Sequence, residues 1–299
     1  MRIGLAGAVV TCTIAAASIA APDAFADPAC ALDVTERQMA VAVLDGETMR
    51  LADGREVLLA GILAPHALDA VAKTDNWQPA DEARSALTRL VEGKDVELAP
   101  AGAPDRYGRI PAHVFLADAV SRPWVQGAML AQGNARAYAL AARQPCLVEM
   151  LAAEASARAA NRGIWAKAAY AVRSGRQARA LERLRGTFQV VEGRVLSSGR
   201  TKQRVYLNFG RNRWRDFAVS VGLGALPRGL ESSSLEGRTI RVRGWIVGHR
   251  GPLIELPDMR LMEVLQEAPA AALETPPATD PRTIEVRDSR LERPRQPDR

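Results

Sequence analysis

Two loops in the C-terminal half carry the densest set of side chains suited to chemistry. Residues 199–204 read GRTKQR and residues 210–215 read GRNRWR. Arg200, Lys202, Arg204, Arg211, Arg213 and Arg215 flank one apolar stretch, and Trp214 adds a flat ring. Single-strand binders combine a basic groove that tracks the backbone with an aromatic stacking face. The loops are therefore candidate contacts for single-stranded nucleic acid or another polyanion. The plainer reading is that exposed hairpin loops are polar and that Trp214 caps a barrel. A second basic set, Arg173, Arg176, Arg179 and Arg183, falls at spacings of three and four and would share one helical face. It is read as the solvated face of a helix joining two domains.

The elements that must position the loops are β-strands. Residues 188–195, 204–209 and 216–221 form short apolar runs, and 239–247, TIRVRGWIV, alternates as a half-buried strand should. Gly251-Pro252 turns the chain into a fifth run at 253–256. Five strands in so short a span suit a small barrel or sandwich. Of Tyr206 and Phe209, one should face its core.

The N-terminal half has a different signature. Residues 41–44 are apolar and end in Asp45-Gly46, a dipeptide suited to a tight hairpin turn. Thr48 to Leu51 can return, Asp53-Gly54 is a second turn signal, and 56–62 is rich in Val, Leu and Ile. This is the pattern of a three-stranded meander, which Pro65 stops. In this stretch stand DGET, LLAGILAPH and, further on, DRYGR at 105–109. Their order and spacing resemble the thermonuclease family, calcium-dependent nucleases built on a five-stranded barrel of the OB type. The resemblance runs from about residue 41 to 165. It takes in a helix at 83–91, strands at 96–98 and 112–116, a helix at 125–133 and a last helix at 154–165. The signals of 186–265 resemble the OB-type appendages of exported bacterial members.

The resemblance implies a catalytic centre, and the residues depart from it. An arginine should open the third strand, an aspartate should bind calcium at its end, and a glutamate after the proline should activate water. Those positions hold Leu58, Leu63 and His66. The other calcium aspartate is Glu47, a hard-oxygen substitute on a longer arm. Arg109, the second arginine, is unchanged. In-line attack on a phosphodiester needs positive charge where negative charge develops and a positioned base or metal-activated water. Leu58 supplies no charge. His66 has the pKa of a general base near neutrality, yet a polar residue in a loop is the simpler reading. Asp105, Tyr107 and Gly108 shape the DRYGR loop. Asp69 and Asp75 lie in a loop long enough to bring a carboxylate into the gap, and Asp81 or Glu82 begins the next helix.

Residues 1–26 read as a secretory signal: Arg2, a small apolar run, then Ala24-Phe25-Ala26. Removing it removes Cys12 and leaves Cys30 and Cys146, which in an oxidising compartment should pair. Two cysteines without paired histidines do not make a zinc site. Charge divides the chain: residues 27–150 hold 12 Lys and Arg against 17 Asp and Glu, whereas 151–185 hold 8 against 2 and 186–265 hold 13 against 7. An acidic barrel is a poor start for binding a polyanion, so the C-terminal half is the better candidate for holding nucleic acid. Residues 267–299 lack apolar periodicity and read as a disordered tail.

The expectation is an α+β protein, mainly β: a nuclease-type barrel with helices at 27–166, a basic helical linker at 167–185 and a small OB-like β-barrel domain at 186–266. It would be periplasmic or secreted, without a membrane-spanning segment once the signal is gone. Two functions follow. One is a nucleic-acid or polyanion binder on a nuclease fold with a degenerate centre. The other is a hydrolase with a site rebuilt around Glu47, His66 and Arg109, with calcium as its cofactor.

Overall fold

The computed structural model describes residues 30–66, 69, 77–117, 121–139, 144–227, 229–248 and 250–266. The signal, the tail and Asp75 lie outside them. Five strands close a barrel in the order β1-β2-β3-β6-β5: β1 (Glu36–Val43), β2 (Thr48–Leu51), β3 (Glu56–Leu59), β5 (Asp95–Pro100) and β6 (Ile110–Leu116). β3 runs parallel to β6 and the other neighbours are antiparallel. Met49, Leu51, Val57, Leu59, Val96, Leu98 and Val114 point inward and are buried, as alternation along half-buried strands requires.

The third strand is shorter than its apolar run. It stops at Leu59, and the chain turns at Gly61 so that β4 (Ile62–Leu63) pairs with β7 (Arg136–Ala137) instead. Helix α1 (Gln78–Val91), with Asp81 in its first turn, lays Ala83, Ala86, Leu87 and Val91 on the core. Helices α2 (Val125–Ala131) and α3 (Leu147–Ala159) pack on each other. From α2, Gln126 accepts from Val114 N and donates to Ala112 O, so a buried amide serves β6 as a strand would. Where the chain leaves these helices, Gly133 and Gly163 meet back to back. A Cβ on either would lie 2.2 Å from a carbonyl oxygen of the other segment, and Ile164 N donates to Gly133 O.

The expected last helix of the barrel unit ends at Ala159, short of Trp165, and the expected helical linker is not helical throughout. Two short 3-10 turns are followed by β8 (Arg173–Ser174) and then by α4 (Ala178–Glu182). Arg173 is thus a strand residue, Arg176 lies in a turn and Arg179 in α4, so the four arginines form no common helical stripe. Gly175 explains the interruption: a side chain there would strike Phe209 and Phe217 in the C-terminal core.

The C-terminal half is β, as expected. It adds β9 (Phe188–Arg194), β10 (Ser197–Arg200), β11 (Arg204–Asn208), β12 (Ala218–Gly222), β13 (Thr239–Val247), β14 (Leu253–Leu256) and β15 (Met262–Gln266). The order is β10-β11-β12-β14-β13-β9-β8, with β15 also on β13. Among the described residues the pairings form one eight-stranded sheet that ends at β10 and β8, whereas the first barrel closes on itself. Phe209 is buried and Tyr206 is half-exposed.

One covalent tie closes the N-terminal half, and one ionic network joins it to the C-terminal half. Cys30 and Cys146 form a disulfide across 116 residues, with Cα atoms 5.4 Å apart. Glu154 of α3 is wholly buried: Oε2 accepts from Ala137 N at 2.6 Å, and Oε1 meets Arg158 at 2.6 Å and Arg243 of β13 at 2.5 Å. Arg243 also pairs with Glu263, and Arg241 bridges Glu263 and Glu192. β13 alternates as read, but on its polar face Arg243 meets Glu154 of α3 rather than water.

Two outcomes follow for chemical denaturation. Cys30→Ser/Cys146→Ser should lose roughly 3–5 kcal/mol in the chain-entropy account of a loop this long. Arg243→Ala, which removes one of the two guanidinium partners of the buried Glu154, should cost about 3 kcal/mol, against about 1 kcal/mol or less for Arg241→Ala at the more open end of the network. Equal losses from the two arginines would show that the buried pair is not the tie.

Candidate functional site

Glu47 sits at the barrel's first turn. Asp45 Oδ1 accepts from Glu47 N at 2.8 Å, which bends the chain into β2. Gly46 has no positive φ, contrary to the hairpin reading of Asp45-Gly46. It is required by close approach, since a Cβ there would lie 2.8 Å from both Ala64 and Ala83. The turn thus presses against the end of β4 and against α1, and this delivers the Glu47 side chain into the protein.

Both of its carboxylate oxygens are then engaged. Oε2 accepts from Ala64 N at 2.7 Å, and Oε1 lies 3.2 Å from His66 Nε2. The Glu47 bond raises the His66 pKa above its ordinary 6.5, burial opposes this, and the charges of Asp69 and Asp45 add to it. His66 and Glu47 are therefore an ion pair in mildly acidic solution.

The neighbouring positions offer no replacement chemistry. Leu58 stands between Thr48 of β2 and Pro111 of β6. Leu63 is buried beside Arg136. Asp69 does not swing into the gap: Tyr170 OH donates to it at 2.6 Å, Arg136 at 3.3 Å and His66 N at 3.4 Å. Arg109 is clamped by Asp105 at 2.8 Å and reaches Thr48 Oγ1 only at 3.5 Å. The DRYGR loop is held by Asp105 Oδ1, which accepts from Tyr107 N and Arg109 N, and Tyr107 stands 68% exposed.

Calcium takes six to eight hard oxygens. Here one carboxylate is spent on an amide and an imidazole, and a buried leucine holds the second place. Among the described residues no group of three His, Cys, Asp or Glu could hold a metal ion. The donor set does not fit the ion.

The structure separates the basic loops. β10 and β11 form a hairpin in which Arg200 faces Val205 and Ser197 faces Asn208. Arg200 and Lys202 therefore lie at one end of β11, and Arg211, Arg213, Trp214 and Arg215 at the other, about 14 Å away by strand rise. Arg204 leaves the set, because it bonds Ser220 Oγ at 2.8 Å and pairs with Glu255 at 3.4 Å. Trp214 does not cap a core. It is 53% exposed, with the guanidiniums of Arg213 and Arg250 about 5 Å from its ring centre. Arg250, which the loop motifs did not include, joins this cluster from the turn before β14.

A third assembly escaped the sequence reading. Trp77 Nε1 donates to Tyr170 OH, which donates to Asp69. Arg136 bonds Asp69 and, through the other nitrogen, Phe188 O of β9. Its only trace in the sequence is a single arginine within the apolar stretch around β7.

With this geometry in place, comparison with known families is direct. The family described as "Staphylococcal nuclease homologue" matches residues 56–167, and the closed five-stranded barrel is the architecture expected of it. Residues 56–167 are therefore a thermonuclease-like domain within a longer chain. β1 and β2, which complete the barrel, precede the matched span. No curated protein matches the chain.

The His66 shift fixes the sign of a pH effect. A raised folded pKa gives stability that is full below 6.5 and is lost as pH rises through the folded value. His66→Gln should be less stable than the parent at pH 5.5, by about 1 kcal/mol or less for a partly exposed pair. The difference should vanish by pH 9 in thermal melts. A gap that widens with pH would refute the ion pair.

Proposed function

We propose that this protein binds single-stranded nucleic acid or a similar polyanion and does not hydrolyse it. The observation that carries the proposal is the closed state of Glu47, whose carboxylate is committed to Ala64 N and His66 while Leu58 stands where a phosphodiester cleaver needs charge. Losing one such charge-stabilising group costs about a hundredfold to a thousandfold in rate, and here three positions differ together. Binding is supported by the basic C-terminal half and by the exposed cluster of Arg211, Arg213, Trp214, Arg215 and Arg250. Arg211 and Arg215 have no carboxylate partner among the described residues. The disulfide fits an exported protein in an oxidising compartment, periplasmic or secreted.

The Glu47–His66 contact also favours a second reading, a carboxylate–imidazole base beside Arg109 in a rebuilt hydrolase. One assay separates the two. Purified protein is incubated with end-labelled single-stranded DNA and RNA, with calcium and with chelator. The expected result is retention without shortening. Retention should weaken with salt, and an Arg211→Ala/Arg213→Ala/Arg215→Ala variant should flatten the log–log salt slope by about 2, at roughly 0.7 per lost phosphate contact. Strand cleavage that disappears in His66→Gln would establish the hydrolase instead.

A further inference from the structure

A cavity of about 480 Å³ lies between the two halves of the molecule, and Glu47 is not among its lining residues. Its walls come from the residues after β7, from the start of β9, from the end of β13, and from the ends of β11 and β12 with β14. A cavity of that size accommodates a small planar ligand. Its chemistry is mixed. Trp245 lines it and remains 39% exposed, held edge-on by Phe188 at 5.9 Å, and Phe188 is braced in turn by Tyr138 at 5.6 Å. At the rim Arg204 and Glu255 stand 3.4 Å apart, a donor beside an acceptor. Glu255 is largely exposed, so its free lone pairs are within reach of a ligand.

Sheet register adds the last component. Arg204 faces Gly222, and both line the cavity. The turn at 201–203 therefore sits at the cavity's end of the hairpin, and it is this end that carries Arg200 and Lys202, exposed and without a carboxylate partner among the described residues. Two exposed cations thus stand beside a cavity that carries a stacking ring and a hydrogen-bonding pair.

We propose that this cavity receives a single unstacked nucleobase of a bound strand, one that carries an exocyclic amino group such as cytosine, while Arg200 and Lys202 hold the flanking phosphates. Trp245 stacks on the base, as aromatic side chains do in single-strand binders. Glu255 accepts from the amino group, the contact a carboxylate makes to cytosine N4. Thymine presents a carbonyl there and is disfavoured. The proposal rests on the nucleic-acid reading above and adds a site and a base preference to it.

The test is fluorescence anisotropy of the full chain with three labelled ten-nucleotide probes: oligo-dC, oligo-dT and an abasic phosphodiester strand. The parent should bind oligo-dC more tightly than oligo-dT. Trp245→Ala should weaken oligo-dC about tenfold or more, the scale of one stacked base, and leave the abasic strand unchanged. Because Trp245 also packs on Phe188, Glu255→Gln is the second variant; it should erase the preference for oligo-dC without changing the melting temperature. If oligo-dC and oligo-dT bind the parent equally, or if both variants bind oligo-dC as the parent does, the cavity proposal falls and the binding reading stands. If the parent retains none of the three probes, both fall.

Discussion

Glu154 is the charge on which the arrangement of the two halves depends. Its carboxylate is fully buried and receives Ala137 N, Arg158 and Arg243, so it addresses the small β4–β7 sheet, its own helix and the C-terminal sheet at once. A buried carboxylate is expensive to desolvate and is stable only when its lone pairs are filled. Here they are filled by groups from three elements, none of which can move without exposing the charge to an apolar surrounding. The cavity bounded by Trp245 and Tyr138, and the bond from Arg136 to Phe188 O, exist because β13 and β9 are held at this position against the first barrel.

The same rule accounts for the arrangement around Glu47 in the barrel. A carboxylate delivered inward by the 45–46 turn has to be satisfied, and with Leu63 beside it the available partners are an amide and an imidazole. His66 therefore neutralises Glu47, where a glutamate in its place would add to the negative charge. Arg109 keeps its place in DRYGR because Asp105 holds it, so an unchanged residue is explained without assigning it chemistry.

Much of this fold was legible. The turn pairs Asp45-Gly46 and Asp53-Gly54, the alternation of 239–247 and the spacing from DGET to DRYGR place most strands within a residue or two, and the pairing of Cys30 with Cys146 followed from counting. What was not legible has a common cause. Arg136, Arg243 and Glu154 are buried charges, and patterning reads a charge as exposed; their burial is decided by partners more than 50 residues away. Gly46, Gly133 and Gly163 likewise owe their identity to atoms of distant segments that approach closely, which local turn rules do not see. The arginines of 173–183 had helical spacing, but Gly175 must pass the phenylalanine pair of the next core, and that contact overrides the period. The loops flanking β11 were found by composition, whereas their placement at opposite ends of a hairpin required the strand register.

The long covalent tie also sets an order of events. A chain made from its N-terminus presents Cys30 well before Cys146, and the interval contains every strand of the first barrel together with α1 and α2. The covalent tie cannot pin the N-terminal arm until those elements have emerged. The thiol at Cys30 therefore waits, open to an oxidant or to a neighbouring chain, through the whole assembly of the barrel. Once made, the bond records that the chain as far as Cys146 has been brought back to the N-terminal arm.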